Sequence, residues 1–274
     1  VRKLWKRNPL GVISLFFLML VSLAAAAAPL ITRHAFDEQN VEHRLAPPSR
    51  EYWMGTDVLG RDLYSRIVYG ARTSLAVGVC TALAALLLGT LTGAAAGYFG
   101  GRVDQLLMRV VDLFYLFPSL LLAILMMILV GRGLTGILVA ISLTAWITQA
   151  RLVRGQVLQA RELPYVESAR AMGLGSARII LRHLLPNLWA PIIVSLTLQI
   201  PNNIMAESFL SFLGLGLRPP LSSWGTLAAE GLRGMRYDPY LMIFPGAILF
   251  LTALAFNYLG DGLADWLDPQ SRDE

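Results

Sequence analysis

The chain has 274 residues, 55% of them hydrophobic and only 15% charged, and its mean hydropathy is +0.57. A soluble domain carries about 25% charge, so an ordinary water-soluble globular domain is excluded, and the single cysteine, Cys80, excludes a disulfide-built secreted scaffold. The formal charge of +5 does not point to nucleic acid, because the basic residues sit between apolar runs and form no patch interleaved with aromatics.

Asp, Glu, Lys and Arg are absent from 8–32, 73–101, 113–131, 133–150, 184–206 and 239–260. Each gap is close to the roughly 20 apolar residues that a helix needs to cross a membrane. Six spans are therefore expected, near 10–31, 74–98, 112–131, 134–151, 188–213 and 240–259, in an all-α membrane protein with a single domain over 10–260. Arg2, Lys3, Lys6 and Arg7 precede the first run, a pattern shared with signal peptides. The run from Leu10 to Ile31 exceeds the usual apolar region of about 7–15 residues, which favours an uncleaved span. Four basic residues and no acid among the first seven place segment 1–9 in the cytoplasm. Six crossings then return the tail, 261–274, to the same side.

The non-spanning segments follow from this order. An outer loop covers 32–73, where Asp57, Arg61 and Asp62 are expected to cap and pair locally at the start of the helix leading into the second span. Gly131-Arg132-Gly133 leaves room only for a tight hairpin between the third and fourth spans. The inner loop, 152–187, reads as helix, glycine turn, helix. Pro164 can open a helix that runs to Met172 and stops at Gly173, and Ser176 can cap a second helix, from Ala177 to Leu185, closed by Pro186. This unit is either an interfacial amphipathic element or a docking knob for a cytoplasmic partner, with Ser168, Ala169 and Ala171 small enough for close approach. In the segment 218–238, Ser222 or Ser223 can cap a short helix from Trp224 to about Leu232, with Trp224 as an interfacial anchor.

No phosphate-cradling G-x-x-x-x-G-K-[ST] loop, nucleophile elbow or His-Glu-x-x-His pattern occurs. His34, His43 and His183 form no metal-ligand spacing with one another or with Cys80. No catalytic or metal site is therefore expected. One acid, Glu207, falls inside an otherwise uncharged stretch from Leu184 to Leu217. Gln199, Asn203, Glu207 and Ser211 recur every four residues along one slowly drifting helix face. That face is either an interhelical hydrogen-bonding seam that holds a dimer of such membrane subunits together or the lining of a translocation path, with Glu207 available to a substrate amino group or cation.

Glu167-Ser168-Ala169, Gly173 and Leu185-Pro186 resemble the EAA motif of ABC-importer permeases, with Ser168 departing at its second position. Arg182-His183-Leu184-Leu185-Pro186-Asn187 is similar to the variant in dipeptide and oligopeptide permeases. Gly55-Thr56-Asp57-Val58-Leu59-Gly60-Arg61-Asp62, Ser211-Phe212-Leu213-Gly214-Leu215-Gly216, Pro219-Pro220, Ser223-Trp224-Gly225, Phe244-Pro245-Gly246 and Asp268-Pro269 resemble the C-type (DppC/OppC-like) subunits of that family.

The resemblance implies a type I ABC-importer permease fold with a cytoplasmic coupling helix, in which Glu167, Ser168, Ala169, Gly173, Leu185 and Pro186 couple to the ATPase. It also implies a second, B-type permease, two cytoplasmic ATPase subunits carrying ATP and Mg, and an extracytoplasmic substrate-binding protein. No cofactor is expected on this chain itself. The expected cargo is di- or oligopeptide carried across a bacterial cytoplasmic membrane by ATP-driven alternating access. A nickel importer of the same family is the alternative, and a self-sufficient secondary transporter or channel is the rival from a different class.

Overall fold

The structure is a computed structural model that describes residues 8–267. The basic residues Arg2, Lys3, Lys6 and Arg7 and the Asp268-Pro269 pair lie outside the described residues. Among those described, all regular structure is helical, joined by loops of which 32–62 is the longest, and no strand forms beyond one isolated bridge, between Thr56 and Asp62. Lipid offers no hydrogen bonds to an open backbone, so an apolar chain that crosses it folds into segments satisfying their own N–H and C=O groups.

Helix α1 (Pro9–Ala26) starts where Asn8 Oδ1 accepts from the Gly11 N–H at 2.9 Å and Pro9 fills a position that needs no donor. A short turn, Ala28–Ile31, continues it. Helix α2 (Leu63–Phe99) begins eleven residues before the expected span, where the Asp62 carboxylate accepts from the Ser65 N–H at 2.9 Å. Counting uncharged residues located the apolar part of this helix but not its start, because Arg66 and Arg72 are helical too. At 37 residues it is about 55 Å long.

The helix expected over 112–131 is broken. Helix α3 (Gly101–Tyr115) ends before Leu116, and α4 (Ser119–Val130) leaves it at 91°. Pro118 has no N–H to give and disfavours helical backbone at Phe117, so the chain turns there although no charge interrupts it. Helix α5 (Leu134–Ala160) returns after the Gly131-Arg132-Gly133 hairpin. After α6 (Pro164–Ala171) the chain passes through Ser176–Ile179, a π turn at Ile180–Leu184 and Leu185–Asn187, then bends 69° into α7 (Trp189–Phe212). Helix α8 (Trp224–Leu232) and the long α9 (Tyr240–Leu267) complete the chain.

Four helices, α1, α2, α5 and α9, are each long and apolar enough to cross a membrane. The two bent pairs, α3 with α4 and Ser176–Asn187 with α7, bring the total to six if each pair is one crossing.

The core is the parallel pair α2 and α5. A Cβ on Gly89, Gly93 or Gly97 would stand within 3 Å of Gln149, the Ala150 carbonyl oxygen or the Arg154 carbonyl oxygen, respectively. One glycine per four residues keeps the stripe on one face of α2 and lets the two backbones touch, as small residues do where helices pack in lipid. Two bonds between Arg154 and Asp104, each 2.6 Å, fasten α3 to α5.

At one end of the bundle, the ion pairing of Asp57 reaches much further than local capping. Asp57 Oδ2 accepts from Arg61 Nε at 2.6 Å and from Arg66 Nη1 at 2.7 Å, and Arg66 Nη1 also reaches Glu230 Oε2 of α8 at 2.7 Å. Two acids and two arginines cancel, and the cluster pins α8 against the start of α2. Trp224 is fully buried, with Nε1 donating to the Ile67 carbonyl at 3.0 Å, so it is a core residue and not the interfacial anchor its position suggested. At the opposite end, the end at which α7 begins, Asn8 Nδ2 donates to Asp265 Oδ2 at 3.2 Å, bringing the two described ends of the chain together.

Candidate functional site

Two surfaces concentrate the residues singled out by sequence. The first is the 164–187 unit. Helix α6 stops in a Schellman arrangement: the Gly173 N–H bonds to the Arg170 carbonyl at 2.9 Å, and the Leu174 N–H bonds to the Ala169 carbonyl at 3.2 Å. Gly173 sits at φ +73°, the left-handed region where a side chain costs roughly 1–2 kcal/mol. This turn aims the unit, and Val166, Ala169, Ile179 and Leu184 bury its inner face against α2 and α5. The Arg170 guanidinium lies over the Tyr98 ring at 5.1 Å, tying α6 to the end of α2.

Glu167, Ser168, Gly173 and Pro186 are exposed, whereas Ala169 is buried and Leu185 half-buried. Ala169 therefore seats the helix and does not offer it a docking face. Ser176 makes no capping bond, and Pro186 lies inside a helical turn instead of closing one. Ser176 is already the first helical residue, with Gly175 in the cap position, and the π turn accounts for Pro186: the Leu185 N–H reaches back to Ile180, and Pro186 demands no donor at the next step.

The second surface is a cavity of about 550 Å³ between the middles of α5 and α7, closed at one side by Ser119 of α4. Thr144, Thr148 and Gln149 face it from α5, and Ser195, Gln199, Asn202 and Asn203 face it from α7. None of its lining residues is ionisable. Of the four-residue stripe, the structure brings Gln199 and Asn203 to this cavity and takes Glu207 and Ser211 elsewhere. Four residues advance a helix face by about 40° beyond one turn, so the face rotates by about 120° from Gln199 to Ser211.

Glu207 is fully buried, with Oε1 accepting from Ser211 Oγ at 2.8 Å and Ser223 Oγ at 2.6 Å. Ser223 is also the N-cap of α8, where it forms a capping box with Thr226. One step back along the stripe, Asn203 Nδ2 donates to Thr81 Oγ1 of α2 at 2.8 Å. Asn203, Glu207 and Ser211 thus form a seam within this chain, lashing α7 to α2 and α8, and not the seam between two subunits that the sequence suggested. The α5 wall of the cavity was missed in the sequence, although Thr144 and Thr148 at a four-residue spacing in the uncharged run 133–150 carry the signal.

Residues 74–273 match the family model described as "Binding-protein-dependent transport system inner membrane component", and residues 1–48 match "N-terminal TM domain of oligopeptide transport permease C". The chain is 46% identical to the dipeptide transport system permease protein DppC of Bacillus subtilis, over 97% of this chain and 84% of the relative. It is 41% identical to the oligopeptide transport system permease protein OppC of the same organism (98% and 88%) and 40% identical to OppC of Escherichia coli K12 (99% and 90%). Among solved structures, a chain of the inward-facing MetNI methionine ABC transporter superposes with a TM-score of 0.60 at 18% identity, covering 75% of this chain and 98% of that one.

Proposed function

This chain belongs to the family of binding-protein-dependent transport system inner membrane components, and from that premise we propose that it is the permease subunit of an ABC importer for di- or oligopeptides. The relatives' names support peptide cargo, and no observation favours nickel. In this reading a second, B-type permease faces the α5–α7 cavity and completes the path. Two ATPase subunits, which hold ATP and Mg, engage the exposed face of the 164–187 unit, and a substrate-binding protein delivers cargo at the end occupied by the 32–62 loop and α8. The chain itself carries no catalytic step. Both termini and the coupling unit lie on the cytoplasmic side, which agrees with the meeting of Asn8 and Asp265 at the end where that unit sits.

The observation that carries this proposal is the construction of the 164–187 unit. Its inner face is anchored to α2 and α5, Gly173 fixes its angle, and Glu167 and Ser168 stand exposed where a partner can push on them. ATP-driven closure of the partners would move the unit as a lever, and rotation of α5 and α7, to which it is joined at each end, would open the cavity inward. Isolation of the tagged chain from an intact operon tests the assembly: the account expects co-purification with a second permease and ATPase subunits. Recovery of the chain alone as a stable, transport-competent species would favour the secondary-transporter rival.

A further inference from the structure

On the side of α7 away from the cavity, a groove runs between α2 and the 176–192 segment. It consists of two hollows, of about 320 and 210 Å³, that lie end to end along α2 and share Thr90 and Leu185. Trp189 and Ile192, which wall the first hollow, stand roughly 100–180° round α7 from Pro191 and Leu198, which face the cavity. The α2 wall extends from Leu83 to Ala95, about 18 Å, close to one leaflet's half of a hydrocarbon core about 30 Å thick. Leu185 and Trp189 stand on either side of the 69° bend, so the groove sits in the angle of the chain. Apart from Thr90, its lining is aliphatic or aromatic. Arg178 and Arg182 each follow a lining residue, Ala177 and Leu181, and flank the groove at the end where α2 finishes. Both are exposed, and neither pairs with an acid among the described residues. No Asp or Glu occurs in α2 or between Ser168 and Ala206, so neither wall offers these arginines an acid.

We propose that this groove binds one anionic phospholipid of the cytoplasmic leaflet, with its acyl chain against α2 and its phosphate on Arg178 and Arg182. An apolar slot one leaflet long, with two unpaired cations at its interfacial end, matches a molecule that is hydrocarbon along its length and anionic at its head. Each arginine near a membrane surface favours an anionic headgroup about fivefold, so the two together favour it roughly twenty- to thirtyfold over a zwitterionic one. The groove turns away from the cavity that the second permease faces in the reading above, which leaves it open to lipid. The inference goes beyond that reading: it uses the placement of the 164–187 unit on the cytoplasmic side and is independent of the cargo. A chain seated there packs on α2 and on the junction between that unit and α7 at once, and so braces the joint through which the unit moves.

The test places the complete transporter, without ATP or peptide, in bilayers of phosphatidylcholine with a minor share of phosphatidylglycerol. A small, equal amount of one lipid carries bromine at mid-chain, in one sample the phosphatidylglycerol and in the other the phosphatidylcholine. Bromine quenches tryptophan on contact, and Trp189 is 55% exposed in the groove wall. Its signal is the difference between wild type and Trp189→Phe. Brominated phosphatidylglycerol is expected to quench it at least about threefold more strongly than brominated phosphatidylcholine. The double variant Arg178→Gln/Arg182→Gln is expected to keep the quenching and lose the preference. Equal quenching by the two lipids in wild type, no quenching by either, or a preference that survives in the double variant would overturn the site. Loss of ATPase subunits from the double variant, with no lipid preference in wild type, would overturn it in favour of a protein contact for the two arginines. A further arm needs no variant: the lipid retained by the wild-type complex on detergent extraction is expected to be enriched in phosphatidylglycerol. Retention in the bulk ratio would overturn the proposal even if the variants failed to assemble. Peptide uptake is measured separately, so failure of the peptide reading leaves these outcomes unchanged.

Discussion

Arg66→Met tests whether the neutral four-charge cluster holds α8 to the start of α2. Arg66 and Asp57 side chains are 3% and 6% exposed and lie 2.7 Å apart, whereas Glu230 is 42% exposed. Removing one partner from a buried pair costs about 3–5 kcal/mol, because the remaining charge stays out of water uncompensated. Here Asp57 keeps Arg61 at 2.6 Å, which puts the loss near the lower end, about 3 kcal/mol. For a domain of this size that lowers the unfolding midpoint by roughly 6–12 °C. Glu230→Gln breaks the half-exposed side of the same cluster, where solvent screens the pair, and is worth about 1 kcal/mol or less. The assay is the temperature at which the detergent-purified transporter complex loses half its monodisperse peak. The large effect belongs to Arg66→Met and the small one to Glu230→Gln. Equal shifts, the reverse order, or a shift below about 2 °C for Arg66→Met would refute the reasoning that burial sets the size of this contribution.

Gly93→Ala and Gly155→Ala make a matched pair with opposite expected signs. A Cβ at Gly93 would stand 2.4 Å from the Ala150 carbonyl oxygen, so α2 and α5 must separate at a cost of about 1–3 kcal/mol, while nothing lies within 4 Å of one at Gly155. Alanine there gains up to about 1 kcal/mol in helix propensity, and the same thermal assay reads both. Glu207→Gln keeps an acceptor for Ser211 and Ser223 and should leave uptake close to wild type. Glu207→Leu strands the Ser211 hydroxyl in the core, leaves Ser223 only its bonds to Thr226, and should lower stability by about 1–3 kcal/mol; a transport defect in Glu207→Gln with normal thermal stability would restore a path-lining role. Glu167→Arg and Gly173→Pro should abolish ATP-dependent uptake while membrane insertion and yield persist, and normal uptake by either would remove the coupling assignment.

Much of the architecture was legible because hydrocarbon imposes a simple rule on composition. Uncharged runs locate the apolar stretches, and helices α1, α5, α7 and α9 cover them closely. The rule reads charge and not backbone chemistry, so Pro118 breaks an uninterrupted run and Arg66 extends a helix past its apolar part. The 164–187 unit was legible through Pro164 and Gly173, whose backbone restrictions act locally. What happens around Pro186 was not, because a π turn depends on hydrogen-bond register that residue types alone do not fix. The polar stripe on α7 shows the limit most clearly. A four-residue spacing put Gln199 and Glu207 on one face, but accumulated rotation sends the first to the cavity and the second into the core. The partners of Glu207 lie on α7 itself and 16 residues further along the chain, a meeting that spacing within one helix cannot reveal.

ATP-dependent accumulation of a labelled tripeptide in proteoliposomes tests the central claim most directly. The account predicts uptake only when this chain, a second permease, the ATPase subunits, the binding protein and ATP with Mg are all present. Uptake by this chain without ATPase subunits, or none by the complete set while ATP is hydrolysed, would contradict it.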